Sequence, residues 1–190
     1  MSGSASGKPA SKTNLALIGY RGTGKSHVAR LLAARLGWHA IDADDWVESH
    51  AGKSIAEIFQ ASGEPGFRDL ETEAVRTLTA NKRQILAMGG GVILREANRE
   101  LLRQNCHTVW LTASPAAIAQ RLAHDETTQA RRPSLTGKSV IEEIEEVLNA
   151  RLALYKQCAD VTIETEGKLP EAVADAILAE LPWQSAQKEP

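Results

Sequence analysis

A chain of 190 residues, 43% of them hydrophobic, can build one compact core and is short for two. Its 22 Lys and Arg nearly balance 24 Asp and Glu, for a formal charge of −2, which excludes a broad basic field for nucleic acid or an anionic membrane surface. Any anion is therefore bound locally, and the two cysteines, Cys106 and Cys158, are too few for a disulfide framework and lack metal-ligand spacing.

Residues 1–13 are rich in Ser, Gly, Ala and Lys, without the apolar run of a secretory signal, and are expected to form a flexible tail. The first apolar run, Leu15 to Ile18, reads as a strand. It leads into Gly19-Tyr20-Arg21-Gly22-Thr23-Gly24-Lys25-Ser26, which fits G-x-x-x-x-G-K-[ST]. Glycines at 19, 22 and 24 let the backbone turn so that successive N–H groups converge on phosphate, Lys25 adds a point charge, and Ser26 offers a hydroxyl to Mg²⁺. The helix His27 to Leu36 would aim its N-terminus at the same anion, and Gly37 ends it.

Further runs at Trp38 to Ile41, Gln84 to Met88, Thr108 to Leu111 and Val161 to Ile163 make five strands alternating with helical patterns. That alternation predicts a three-layer α/β/α domain over residues 14–181, its parallel sheet covered on both faces. Ser54 with Glu57, Ser114-Pro115, and Ser139 with Glu142 mark helix starts. His124 to Lys138 is polar and follows neither period; a loop of that length in a compact domain suits a mobile lid, and its adjacent Arg131-Arg132 suits a phosphate clamp. Residues 182–190 are expected to be a second tail. Nothing approaches the roughly 20 consecutive apolar residues of a membrane span, so a soluble protein is expected; the cysteine usage points to a reducing cytoplasm, and a monomer is expected.

In open parallel sheets ligands bind beyond the carboxyl ends of the strands. After the second strand stands Asp42-Ala43-Asp44, whose alternation would send one carboxylate to metal and the other to substrate; the competing reading is a helix N-cap. After the third comes Gly89-Gly90-Gly91, which lets a ligand approach main-chain N–H groups. Arg68 borders a stripe of Phe67, Leu70, Ala74 and Leu78, and Arg151 borders one of Ile141, Ile144, Leu148, Leu152 and Tyr155. An inward arginine needs an anion: Glu64, Glu71 or Glu142 in a salt bridge, or a small carboxylic acid in a pocket.

Together these residues resemble shikimate kinase from about Asn14 to about Leu181. The likeness rests on Gly19 to Ser26, Asp42-Ala43-Asp44, the Gly-Glu-x-x-Phe-Arg-x-x-Glu of Gly63 to Glu71, Gly89 to Gly91, Arg132-Pro133, and the Arg-x-x-x-Tyr of Arg151 to Tyr155. It implies a P-loop kinase fold of the nucleoside monophosphate kinase type, sheet order 2-3-1-4-5, and transfer of phosphoryl from ATP to the 3-hydroxyl of shikimate. It also implies nucleotide contacts from Gly22, Thr23, Gly24, Lys25, Ser26 and His27, with Arg121 on adenine and Arg132 closing from the lid, Arg131 being the alternative clamp. Ser26 would ligate Mg²⁺ and Asp42 would hold its water shell. Asp44 would bind the acceptor hydroxyl, Arg68 and Arg151 the carboxylate, and Gly90 another hydroxyl through its backbone. Ser134 stands in the lid where the family usually has Leu. Shikimate and ATP are thus the expected partners, with no nucleic acid and no membrane.

A gluconate- or nucleotide-type kinase would share this architecture, a nucleotide acceptor needing a base pocket instead of paired arginines. A regulatory GTPase needs a guanine reader, and Asn81-Lys82-Arg83-Gln84 lacks its final Asp and precedes a strand. A non-catalytic binding module leaves Lys25, Ser26 and Asp42 without a purpose.

Overall fold

The computed structural model describes residues 12–124 and 139–182. Arg131, Arg132 and all of the expected lid except His124 lie outside the described residues, as do most of the first expected tail and residues 183–190 of the second.

The sheet is five-stranded and parallel, in the order β2-β3-β1-β4-β5, from β1 (Asn14–Ile18), β2 (His39–Asp42), β3 (Gln84–Ala87), β4 (Cys106–Thr112) and β5 (Val161–Glu164). Order and direction are as the resemblance implied. Central β1 is buried along its whole length, because β3 and β4 flank it and helices cover both faces. Its alternate residues feed different cores: Ala16 and Ile18 join Leu86, Met88 and Trp110 on one face, Leu15 and Leu17 join Ile85, Ala87, Val109 and Leu111 on the other.

On the second face lie α1 (Lys25–Leu36) and α7 (Pro170–Glu180); on the first lie α2 (Ala43–Ala51), α3 (Ile55–Thr79), α4 (Glu96–Asn105) and α6 (Val140–Cys158). Helix α5 (Pro115–Ala123) adds Ile118 and Leu122 to a small cluster with Tyr20 and Ile144. Asn14, polar yet fully buried in β1, fastens the bottom of the sheet: its amide donates to the Asn81 carbonyl at 2.7 Å and its oxygen accepts from the Gln84 N–H at 3.1 Å. Cys106 and Cys158 are buried, and burial pushes their thiols up to about 12 and about 11, so both serve as small protonated fillers.

The predicted helix starts hold. Ser114 caps α5 with Pro115 in its first turn, and Ser54–Glu57 and Ser139–Glu142 form reciprocal capping boxes. Ser54→Ala should lower the thermal midpoint by about 2–4 °C in a domain of this size; an unchanged calorimetric transition would show that α3 does not depend on the box. Two details depart from expectation. Helix α3 is broken at Gly63, whose φ of 66° and ψ of −171° only glycine adopts readily, and Pro65 opens its second segment. In α6, Ile141 and Leu152 are exposed, 45% and 40%, while Ile144, Tyr155 and Cys158 are buried. At 100° per residue the buried arc is rotated by roughly 50° from the expected stripe, which moves Arg151 from its flank to near its centre.

Candidate active site

The phosphate loop joins β1 to α1. Gly19, Gly22 and Gly24 have φ of 142°, 78° and 90°, and a Cβ on Gly19 would collide with the Leu111 carbonyl of β4. Thr23 Oγ1 braces the loop by donating to the Tyr20 carbonyl at 2.8 Å. Lys25 Nζ folds back to donate to the Gly19 and Tyr20 carbonyls at 2.9 and 2.8 Å, which keeps the ammonium over the cradle. Gly24, the residue before α1, has no side chain to cap it, and exposed His27 lies in the first turn, so the first N–H groups of the helix face the cradle as an anion site requires.

Asp42 ends β2 and does two things at once. Its Oδ2 accepts from Ser26 Oγ at 2.5 Å, and its Oδ1 caps α2 by accepting from the Asp44 N–H at 3.0 Å. The cap reading is therefore correct for Asp42 without displacing the functional one. Strand alternation is not what separates the two carboxylates: helix α2 begins at Ala43, so Asp44 diverges from Asp42 because it lies in the first helical turn. Two hard oxygens and no soft donor at the mouth of the cradle fit Mg²⁺, which keeps several waters and takes its remaining ligands from phosphate. Among the described residues no group of three or more His, Cys, Asp or Glu could hold an ion by itself.

Asp44 faces the glycine triplet. A Cβ on Gly89 would lie 2.9 Å from Asp44 Oδ1 and 3.1 Å from Glu71 Oε1, and one on Gly91 would lie 2.6 Å from Arg68 Cζ. The Gly90 backbone stands against the phosphate loop, where a Cβ would be 3.5 Å from the Gly19 carbonyl oxygen and 3.6 Å from the Arg21 nitrogen. A side chain at Gly89 or Gly91 would displace Asp44 or Arg68, whereas a Cβ at Gly90 would stand at ordinary contact distance, so glycine is required at the two outer positions of the turn.

Arg68 is buried and doubly paired. Its Nη1 donates to Glu71 Oε2 at 2.8 Å, and its Nε and Nη2 donate to Glu64 Oε1 at 3.1 and 2.9 Å. Burial works to lower its affinity for the proton, but the Glu71 and Glu64 carboxylates outweigh that and hold it above its ordinary value. The salt-bridge expectation is thus met by two of the three carboxylates weighed, and Arg68 still lies at the triplet. Arg151 Nη1 and Tyr155 Oη both donate to the Gly90 carbonyl, at 3.1 and 2.7 Å. Arg121 reaches the other side of the cradle, where its Nη1 donates to the Gly22 carbonyl at 3.2 Å and to Thr165 Oγ1 at 3.0 Å, and its Nη2 to the Thr165 carbonyl at 2.8 Å. Thr165 went unremarked in the sequence; its one signal is its place directly after β5.

The family profile described as shikimate kinase matches residues 21–182. The chain belongs to the shikimate kinase family. Its relatives include the shikimate kinases of Rhodopirellula baltica, 43% identical over 176 residues covering 93% of this chain and 94% of that protein, and of Thermodesulfovibrio yellowstonii, 42% identical over 167 residues covering 88% and 94%. A solved shikimate kinase from Acinetobacter baumannii, in complex with shikimate, superposes with a TM-score of 0.83 at 33% identity, covering 95% of this chain and 97% of that one. A gluconokinase from Sinorhizobium meliloti, with a TM-score of 0.57 at 18% identity, shares the fold alone. As a member of the shikimate kinase family the chain is an enzyme, a kinase that phosphorylates shikimate with ATP as co-substrate.

Proposed function

We propose that the transferred phosphoryl goes to the 3-hydroxyl of shikimate, that the N–H groups of Gly22 to Ser26 with Lys25 hold the nucleotide phosphates, and that Asp44, Arg68, Gly90 and Arg151 hold the acceptor. One observation carries this reading: the glycine triplet touches the phosphate loop at Gly90 and meets Asp44 and Arg68 at its two neighbours, so donor and acceptor ends share one turn. His27 and Arg121 flank the nucleotide end, and Arg132, outside the described residues, is assigned to the phosphates by resemblance. Ser26 and Asp42 are the residues that would hold Mg²⁺, which when bound neutralises phosphate charge.

Phosphoryl transfer asks little covalent chemistry of a protein, so the side chains act by position and charge. Lys25 offers a donor to the transferring group, Asp44 orients the acceptor oxygen and accepts its proton, and the two arginines fix the far end of the ring through its carboxylate. A monomer in a reducing cytoplasm is proposed with it, the compartment supported by two buried cysteines that form no disulfide. Among the described residues no helix is long and apolar enough to cross a membrane.

The direct test is ADP release by purified protein offered shikimate, gluconate or AMP. Release that depends on shikimate is expected; release with gluconate or AMP alone would overturn the acceptor assignment. Arg151→Ala should raise the KM for shikimate at least about tenfold and leave that for ATP nearly unchanged, since a charge-assisted pair is lost. Arg68→Lys should be nearly as damaging, because an ammonium cannot serve Glu64, Glu71 and a substrate carboxylate in one plane. Parental shikimate KM values in both variants would leave Arg68 as a structural ion pair and Arg151 as a donor to the Gly90 carbonyl only.

A further inference from the structure

Tyr155 has no part in the steps above, yet its hydroxyl ends at the acceptor site. Its ring is fully buried and stacks on Trp110 of β4 with centroids 5.3 Å apart and planes 5° apart, so the hydroxyl is aimed by a rigid support. The oxygen it reaches, the Gly90 carbonyl at 2.7 Å, is the one Arg151 reaches at 3.1 Å. Two lone pairs, two donors: this carbonyl is saturated. The Gly89 and Gly91 carbonyls accept from the Val92 and Leu94 N–H groups at 3.1 and 3.0 Å, and it is the middle carbonyl, that of Gly90, which the two side chains hold.

The two donors are not alike. Burial pushes the Tyr155 hydroxyl up to about 12 against a smaller opposing pull from Arg151, so it stays a neutral donor at any working pH. Arg151 is only half-buried and carries a charge that an incoming carboxylate can draw to itself. We propose that Tyr155 is a positioning residue of the acceptor site, holding the Gly90 carbonyl and with it the glycine triplet, so that Arg151 is free to turn to the carboxylate of the substrate. This rests on the assignment of Gly90 and Arg151 to shikimate. Without the hydroxyl, Arg151 becomes the remaining donor to a confined carbonyl, and binding must either break that bond or leave the carbonyl unpaired. The penalty falls on the acid substrate and spares the nucleotide.

Steady-state kinetics of Tyr155→Phe, beside Cys158→Ala as a control on the same buried face of α6, test this. Both should lower the thermal midpoint, but only Tyr155→Phe should raise the shikimate KM, by about tenfold, with the ATP KM within about twofold of the parent. An unchanged shikimate KM, or an equal rise in Cys158→Ala, would overturn the proposal, the second by showing that loosening α6 suffices. If Tyr155→Phe does not fold, Trp110→Phe takes its place, since it keeps the hydroxyl and loosens the ring that aims it; a parental shikimate KM there overturns the proposal equally. Arg151→Ala separates the two layers: a parental shikimate KM in that variant fells the acceptor assignment itself, whereas a raised one beside a parental Tyr155→Phe fells only the role of Tyr155. The double variant should lose less than the product of the single effects, because both side chains serve one carbonyl.

Discussion

Lys25→Ala should lower kcat by about 10² to 10³ while circular dichroism and the thermal midpoint stay close to the parent, the usual effect of removing a preorganised donor from developing charge. The ammonium is half-buried over the phosphate loop and held by the Gly19 and Tyr20 carbonyls, so it is in place before the nucleotide arrives. Those same contacts raise a rival account, in which the lysine only shapes the loop. The two differ in what ATP binding does. Loss of shape weakens ATP affinity and kcat/KM together, whereas loss of a transition-state donor lowers kcat with a smaller change in affinity. Lys25→Arg tests the geometry, since a planar fork cannot replace a compact ammonium in a cradle of main-chain groups and should stay close to the alanine variant. Turnover within about threefold of the parent, roughly 0.65 kcal/mol on the barrier, would show that the loop is not the catalytic cradle.

The elements that could be read from the chain are those whose local signals are strong and agree. Strand β1 is an unbroken apolar run because both faces of the sheet are covered, and a phosphate loop follows it in a pattern whose glycines have a backbone reason to be there. The capping boxes at Ser54 and Ser139 are equally local, since both partners lie within four residues. What could not be read is what depends on distant partners. Ile141 and Leu152 fit the apolar period of α6 yet face outward, because which arc of a helix is buried is decided by the surface it lands on. Asp-Ala-Asp suits a strand end and a helix cap alike, and only the backbone after Asp42 decides between them. Tyr155 read as core, which it is, but the carbonyl its hydroxyl serves is 65 residues away in the chain. Thr165 carries no motif at all, and becomes visible once Arg121 is seen to reach it across 44 residues.

Asp44→Asn is expected to lower kcat by about 10² or more with ATP affinity nearly intact, general-base contributions commonly lying in that range. The substitution keeps shape and removes charge, and Asp44 is well placed to show the difference, with its Oδ1 beside the Gly89 backbone and its N–H tied to Asp42. Asp42→Asn should instead raise the Mg²⁺ concentration needed for half-maximal rate, because Asp42 is the partner of Ser26. The two effects can be separated physically. Asn caps a helix about as well as Asp, so Asp42→Asn keeps an acceptor for the Asp44 N–H and leaves Asp44 where it is. A loose transition state gains little from early deprotonation of the attacking hydroxyl, so orientation should matter more than basicity, and Asn, which still accepts a hydrogen bond, should retain part of the rate that Ala would lose. The measurement is kcat and Mg²⁺ dependence for Asp42→Asn, Asp44→Asn and Asp44→Ala. Were Asp44→Asn to shift only the Mg²⁺ requirement, the two carboxylates would have exchanged roles, and the acceptor oxygen would have to be oriented from Asp42 at the strand end.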